Sequence, residues 1–159
     1  MHKNLTKSQG EKINKFINLA LEFNKTHNIF ARQNKDEVVE KDFLDCFPLF
    51  KMIQDGQSVI DLGSGGGIPG IFIAILKPNN KINLLESSTK KCFFLKTTIK
   101  KLSLTNTKVI NKTLKENNKI GEFDVITARA FASIKKIITL TKNNTHKNSR
   151  YLLLKGREK

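Results

Sequence analysis

The chain has 159 residues, a length that suits one domain with a small extension. Hydrophobic residues make up 38% of it, enough for a core, but no apolar run is long enough to span a membrane, and the N-terminus lacks the apolar middle of a signal peptide. Lys and Arg total 29 against 14 acids, for a formal net charge of +15. This excess favours a polyanionic partner, nucleic acid before anionic membrane, with a general lysine-rich composition as the alternative.

The first part of the chain predicts helices. Ile13, Phe16, Ile17 and Ala20 recur at helical spacing within an amphipathic segment from Ser8 to Lys25. A second helix is predicted from Lys35 to Phe47, and we expect Pro48 to end it because the residue before a proline is disfavoured in a helix. Residues 1–55 are therefore predicted to form an N-terminal helical extension.

A glycine-rich loop follows the next apolar run. The run Val59–Leu62 contains Asp61, and five glycines fall within the eight residues 63–70. Glycines are needed where φ is positive or where a side chain would block a ligand. The apolar segment from Ile71 to Leu76 then reads as a helix whose unpaired N–H groups face the same point. The stretch predicts a strand, a ligand-binding loop and a helix.

The rest of the chain repeats this alternation. Strands are predicted over 81–86, 108–110, 123–128 and 151–154, with helices over 88–102 and 133–140. Such alternation is typical of a parallel, doubly wound α/β sheet, here assigned to residues 56–159. Ligands bind such sheets at the carboxyl ends of the strands. That rule selects Asp61 with its loop, Glu86, the residues after Ile110, Arg129 and Lys155.

Two nucleotide-type ligands fit the loop. Gly65–Gly70 satisfies the dinucleotide pattern G-x-G-x-x-G, with Glu86 at a plausible distance for a ribose. However, Asp61 begins an Asp-x-Gly-x-Gly-x-Gly pattern, which resembles motif I of S-adenosylmethionine-dependent methyltransferases. An acid beside a pyrophosphate would repel it, whereas S-adenosylmethionine carries none. We therefore favour S-adenosylmethionine over NAD.

Several segments together resemble one family, the RsmG (GidB) methyltransferases of bacteria. The matching pieces are Asp61–Gly70, Leu84–Ser87, Phe123–Asp124, Thr127–Ser133 and Leu154–Gly156. The endings Gly-x-Gly-Ile-Pro-Gly and Arg-Ala-Phe-Ala-Ser are more specific than motif I alone. The resemblance implies a Rossmann-like class I fold and methylation of N7 of a guanine in 16S small-subunit ribosomal RNA. It also implies two further strands beyond the fifth, which this sequence does not contain.

The resemblance also assigns site residues. It implies cofactor contacts at Gly63, Ile68, the Leu114–Lys115 segment and Arg129, with Glu86 as the ribose-binding acid. The family usually has an acid where Lys115 stands, so we expect a backbone contact there. With the rest of motif I, the predicted cofactor residues are Asp61, Gly63, Ser64, Gly65, Gly67, Ile68, Glu86, Leu114, Lys115 and Arg129.

Two basic residues at strand ends are the predicted catalytic groups. Arg129 suits the cofactor carboxylate, the base or a phosphate through its fork of donors, and a salt bridge to Asp124 or Glu86 is the alternative. Lys155 suits a phosphate contact or simple solvent exposure. Phe131 fits either stacking on the target base or a place in the core.

The expected chemistry needs little more from the chain. Guanine N7 carries no proton, so alignment for in-line displacement supplies most of the rate and no general base is required. Cytosine C5 methylation would need a thiol nucleophile, and neither Cys46 nor Cys92 stands at a strand end. The cysteines and histidines show no metal-type spacing, so we expect no metal. We also expect no membrane partner, a monomer and a cytoplasmic location.

Two other functions remain open on the sequence alone. One is a methyltransferase of a small molecule or a protein, against which the basic surplus counts. The other is a non-catalytic RNA-binding module with the same fold, which would not bind S-adenosylmethionine.

Overall fold

The computed structural model of the chain describes residues 4–154. Its five strands form one parallel sheet in the order β3-β2-β1-β4-β5. The strands are β1 Ser58–Leu62, β2 Lys81–Glu86, β3 Thr107–Asn111, β4 Phe123–Arg129 and β5 Thr145–Leu154. The α-helices are α1 Lys7–His27, α2 Lys35–Val38, α3 Leu44–Met52, α4 Gly70–Leu76, α5 Thr89–Lys101 and α6 Ile134–Thr141. The predicted doubly wound α/β fold is confirmed.

The direction of winding changes between β1 and β4, which lie side by side. Their register pairs Leu62 with Ala128, so the glycine loop leaves β1 next to the point where β4 delivers Arg129. A ligand crevice forms at such a switch point because the connections after the two strands run to opposite sides. The topology therefore brings together residues that are far apart in sequence.

Helix α1 packs beside the sheet and shares its core. A capping box starts the helix, since Thr6 Oγ1 accepts from Gln9 N while Gln9 Oε1 accepts from Thr6 N. The predicted stripe is buried, and its Phe16 meets Phe72 of α4 edge to face, with ring centroids 5.1 Å apart. These residues and the sheet belong to one hydrophobic cluster, so the helical segment adds directly to the core that supports the loop.

The expectation that Pro48 ends the second helix is wrong. After α2 the chain makes a π-helical turn over Val39–Phe43 and continues as α3 with Pro48 inside it. A proline in a helix interior costs about 3 kcal/mol. Burial of Leu49 and Phe50 on the continued turn contributes about 1.5–3 kcal/mol for each side chain. Tertiary burial therefore outweighs the local penalty.

Strand β5 begins six residues earlier than the sequence predicts. The polar stretch Thr145–Arg150 carries no alternating apolar pattern, yet it joins β4. Side chains hold it there: Ser149 Oγ donates to the Phe123 carbonyl at 2.7 Å, and His146 Nε2 lies 2.9 Å from Asp124 Oδ1. The register shifts between Phe123 and Val125, so the early part of the strand pairs irregularly.

Within residues 4–154, no helix combines the length and the hydropathy that a membrane span would require.

Candidate cofactor site

The glycine loop is a tight turn that lies over the ends of β1 and β2. Ser64 N donates to the Leu85 carbonyl at 3.0 Å, and Gly67 N donates to the Ser64 carbonyl at 2.7 Å. Gly63 and Gly65 have φ values of +66° and +53°, in the left-handed region that favours glycine. A Cβ on Gly65 would meet only the Gly63 carbonyl oxygen, at 3.6 Å. The loop therefore leaves open space directly above Gly65.

A cavity of about 190 Å³ opens at this loop. This volume is below the ~300–1,000 Å³ of typical small-molecule pockets. A nucleoside-sized ligand would be enclosed in part and would extend across the open strand ends. The lining residues come from the loop, from β4, from the segment after α1 and from the π-helical turn: Phe30, Ala31, Arg32, Asp42, Gly63, Ser64, Gly65, Gly66, Ile68 and Arg129.

Glu86 stands at the carboxyl end of β2, as predicted, and its carboxylate orders the loop. One oxygen accepts from Gly65 N and the other from Ser88 N, both at 2.8 Å. Ser88 in turn caps α5 by accepting from Lys91 N. Each carboxylate oxygen can accept more than one hydrogen bond, so these contacts leave acceptor capacity for a ribose hydroxyl.

Asp61 lies behind the loop and does not line the cavity. Its Oδ2 accepts from Gly70 N at 3.1 Å, which ties the start of α4 to β1. Among the described residues, its Oδ1 has no hydrogen-bond partner. Burial and, to a smaller extent, the charge of Glu86 raise the pKa of Asp61 to about 7, although hydrogen bonds from Ser64 and Gly70 act in the opposite direction. The geometry assigns Asp61 a structural role in the loop.

This raised pKa predicts a pH dependence of stability. Between the ordinary pKa of 3.8 and about 7, the folded state keeps the proton on Asp61 that the unfolded state releases. The free energy of unfolding from this group therefore falls as pH rises through that window and is level above it. Asp61→Asn cannot titrate, so its stability should fall less over the same window. Urea unfolding of both proteins across this range tests the point, and parallel stability curves would contradict it.

Arg129 pairs with neither Asp124 nor Glu86; its partner is Asp42. Arg129 Nη1 lies 2.5 Å from Asp42 Oδ1, and Arg129 Nη2 donates to the Lys41 carbonyl at 3.3 Å. Asp42 is 1% exposed and also accepts two hydrogen bonds from Arg32, at 2.9 and 3.0 Å. One buried carboxylate thus holds two guanidinium groups at the edge of the cavity, and the cluster carries a net positive charge.

The sequence interpretation missed Arg32 and Asp42 as site residues, although one signal was present. The chain contains 29 basic residues, and only four are arginine. Arginine offers a planar fork of donors that lysine lacks, so an isolated arginine in a lysine-rich chain indicates a position that needs that fork. Arg150 also makes contacts distant in sequence, because its Nη2 donates to the Met52 carbonyl at 2.7 Å and to Gln57 Oε1 at 3.2 Å.

Three other predicted cofactor residues, Gly67, Leu114 and Lys115, do not line the cavity. Gly67 lines the core side of the loop, where a Cβ would clash with Ile71 at 2.7 Å. Leu114 is buried among residues on the other face of the sheet, and Lys115 is exposed with its N–H donating to Asn118 Oδ1. Lys155 lies outside the described residues.

Phe131 lies over the loop rather than in the core. It is 36% exposed, and its ring is so close to Gly63 that a Cβ there would meet it at 2.6 Å. Ala130, between Arg129 and Phe131, has a φ of +50°. This left-handed residue turns the chain so that the aromatic ring folds back onto the loop. Phe30 lies against the same loop, since a Cβ on Gly66 would meet its ring at 3.5 Å.

Neither cysteine is placed for nucleophilic chemistry. Cys46 and Cys92 are both buried, and burial raises the pKa of Cys46 to about 12 and also raises that of Cys92. Cys92 lies on the buried face of α5, as predicted. Within residues 4–154, no three His, Cys, Asp or Glu residues cluster as a metal site requires.

A larger cavity of about 650 Å³ lies at the amino ends of the strands, where Ser58, Lys81 and Phe123 begin β1, β2 and β4. It is distant from the glycine loop and from the carboxyl ends of the strands, where ligands bind in this fold. We therefore place the candidate site at the smaller cavity.

Two solved methyltransferases share this architecture. Coclaurine N-methyltransferase, bound to N-methylheliamine and S-adenosylhomocysteine, aligns over 96% of this chain and 52% of its own, with a TM-score of 0.65 and 19% identity. The present chain thus spans about half of that enzyme. A putative S-adenosylmethionine-dependent methyltransferase from Methanococcus maripaludis aligns over 98% of this chain and 68% of its own, with a TM-score of 0.63 and 17% identity. The fold is that of class I S-adenosylmethionine-dependent methyltransferases.

Sequence comparisons then give the family. Residues 9–159 match the family model of rRNA small subunit methyltransferase G (GidB). The ribosomal RNA small subunit methyltransferase G of Chromobacterium violaceum is 32% identical over 96% of this chain and 73% of its own length. The protein of the same name from Francisella tularensis subsp. novicida is 38% identical over 90% and 68%. The chain belongs to the rRNA small subunit methyltransferase G family, as the resemblance predicted.

Proposed function

We propose that this chain binds S-adenosylmethionine at the glycine loop and methylates N7 of a guanine in 16S ribosomal RNA. One observation carries the proposal. Among the described residues, the Gly65 N–H donates only to the Glu86 carboxylate, and the space above Gly65 is open. A backbone without side chains next to an acid at a strand end suits a nucleoside whose ribose hydroxyls need acceptors. The family and the fold support this choice of ligand.

The surrounding residues fit the cofactor in kind. Gly63, Ser64 and Gly65 would face it with backbone groups, Glu86 would accept from the ribose, and Arg129 would lie near its carboxylate. Ile68 would supply an apolar contact at the cavity wall. Asp61, which is buried behind the loop, would act by holding Gly70 and so the start of α4.

Bound S-adenosylmethionine supplies an electrophilic methyl group on a sulfonium sulfur. The N7 lone pair of guanine would take this methyl group as the methyl–sulfur bond breaks, so that S-adenosylhomocysteine leaves, the positive charge passes from sulfur to the base, and no proton is lost from N7. The chain therefore needs to position the base in line and to exclude water, which is the contribution of proximity and orientation. Phe131 would stack on the base, and its partial exposure beside the loop supports this role. The two buried cysteines have no part in this scheme.

Methylation of a small molecule or a protein is the second candidate within this fold. The net charge of +15 and the family of the chain favour RNA over both. A non-catalytic RNA-binding module would not bind S-adenosylmethionine, so it would not account for the open space above Gly65. The proposal includes a cytoplasmic location, since ribosomal RNA is modified where subunits are assembled. It also includes a monomeric state.

Incubation of the purified protein with labelled S-adenosylmethionine and 16S ribosomal RNA tests the function. We expect label in the RNA and, after digestion to nucleosides, N7-methylguanosine by mass spectrometry. Small ribosomal subunits from cells that lack the protein provide a second substrate. Label transferred to neither RNA substrate, with S-adenosylmethionine bound in calorimetry, would favour the small-molecule or protein alternative. Absence of cofactor binding would favour the binding module.

A further inference from the structure

The positive charge of this chain is concentrated in one segment. Residues 87–115 contain eight lysines and no aspartate or glutamate, so this segment holds more than half of the formal net charge of +15. The acids that flank it are Glu86, which is buried and bonded to backbone N–H groups, and Glu116. The segment covers α5 and the edge strand β3, which lie against each other at one side of the sheet.

The solvent face of α5 combines this charge with an aromatic ring. Lys90, Phe93, Lys96 and Lys100 recur every three or four residues, so they share one face of the helix, and all four are exposed. Phe93 is 66% exposed, more than any other large hydrophobic residue that the structure describes. The buried face of α5 is formed by other residues, among them Cys92 and Leu95. The core therefore does not explain a phenylalanine at this position.

The charge continues beyond the helix at the same edge of the sheet. Lys108 on β3 and Lys112 and Lys115 just after it are exposed. Among the strands of residues 4–154, β3 lies at the edge of the sheet and pairs only with β2. This arrangement differs from an even scatter of lysines over the surface, which a general compositional bias would produce.

We propose that the exposed face of α5, formed by Lys90, Phe93, Lys96 and Lys100, is an RNA-docking surface. Lysines would neutralise phosphates, and Phe93 would stack on an unpaired base, the combination that single-stranded RNA binders use. Helix α5 starts at the cleft, since its cap Ser88 donates its N–H to Glu86, and its 13 residues span about 20 Å. RNA bound along this face would lead into the cofactor site. The identity of this RNA as ribosomal rests on the proposed function.

Filter binding of 16S ribosomal RNA over a range of salt concentrations tests this surface. The triple variant Lys90→Gln/Lys96→Gln/Lys100→Gln should lower the slope of log affinity against log salt by about 2, since each neutralised phosphate contributes about 0.7–0.9. Its affinity at low salt should fall by at least about tenfold. Phe93→Ala should weaken binding by about tenfold and leave the salt slope unchanged, because base stacking is not ionic.

A matched control removes the same charge elsewhere. Lys119, Lys142 and Lys147 are exposed and lie near Asn144, close to the start of β4 and β5. The triple glutamine variant of these three should keep the parent's slope and affinity within about twofold. Equal losses in both triple variants would overturn the proposal, because the RNA would then respond to net charge alone. Unchanged RNA binding in the α5 variants, with lost binding to phosphatidylglycerol vesicles, would overturn it in favour of a membrane.

The result is separable from the proposed function. The α5 variants should bind S-adenosylmethionine like the parent, because none of the four residues lines the cavity. If the parent binds RNA through this face but transfers no methyl group, the surface stands and the proposed function fails. If the variants methylate RNA with the parent's affinity and rate, the surface is wrong and the function stands.

Discussion

Gly65→Val should abolish binding of S-adenosylmethionine. The Cβ of residue 65 would point into the open cavity, where the nearest atom is the Gly63 carbonyl oxygen at 3.6 Å. The added methyl groups would occupy the space that the ligand needs, while the surrounding core is not displaced. We expect a loss of affinity of more than about 100-fold by calorimetry, equivalent to about 2.7 kcal/mol of binding free energy.

Gly56→Val is the matched control for this variant. Gly56 has a φ of +84°, and a Cβ there meets nothing within 4 Å. Gly56 lies in the turn before β1, at the amino ends of the strands, whereas the glycine loop lies at their carboxyl ends. Both substitutions place a branched residue in left-handed backbone, at a cost of about 1–3 kcal/mol. We expect both proteins to lose similar stability, and only Gly65→Val to lose cofactor binding. Parental affinity in Gly65→Val would place the cofactor site elsewhere.

Local patterns were sufficient to predict the loop and its acid. Motif I needs only a strand, an acid and closely spaced glycines, and all three stand within twelve residues from Val59 to Gly70. Glu86 followed from the rule that ligands bind where parallel strands end, because β2 is short and clearly apolar. The structure places its carboxylate on Gly65 N, which the spacing alone does not determine.

Contacts between distant segments were beyond sequence reasoning. The partner of Arg129 is Asp42, 87 residues earlier, and no local rule pairs them. The salt-bridge partners considered for Arg129 from the sequence, Asp124 and Glu86, are acids of the predicted sheet itself. They are engaged elsewhere: Asp124 with Ser58 and His146, and Glu86 with the loop. The helical extension supplies the acid that the sheet lacks.

The predicted ends of helices and strands are wrong where tertiary contacts override the local preference of the sequence. Pro48 reads as a helix end, but the burial of α3 residues beyond it compensates for the proline. The early part of β5 reads as a loop, because Thr145–Arg150 is polar, and it pairs through side-chain bonds to β4. In both places the deciding interactions join residues that are far apart in the chain.

Asp42→Ala should destabilise the protein more than the removal of either of its partners. Asp42 is 1% exposed and accepts from both Arg32 and Arg129. Without it, two guanidinium groups would remain close together with no carboxylate between them. Breaking a buried ion pair by removal of one partner costs about 3–5 kcal/mol. The arginine side chains are 21% and 27% exposed, so solvent offsets part of this cost and we expect the lower value, about 3 kcal/mol.

Arg129→Ala separates the structural role from the functional one. Asp42 would keep both hydrogen bonds from Arg32, at 2.9 and 3.0 Å, so the buried carboxylate would not be left without a counter-charge. We therefore expect Arg129→Ala to lose about 1.5 kcal/mol of stability, the low end of the range of about 1.5–3 kcal/mol for a hydrogen bond to a charged group, because the Arg129 side chain is partly exposed. Its cofactor affinity should nevertheless fall, because Arg129 lines the cavity. Urea unfolding and calorimetry on both variants measure the two effects. Equal destabilisation by the two substitutions would mean that Arg32 does not hold Asp42, and unchanged cofactor affinity in Arg129→Ala would remove this arginine from the site.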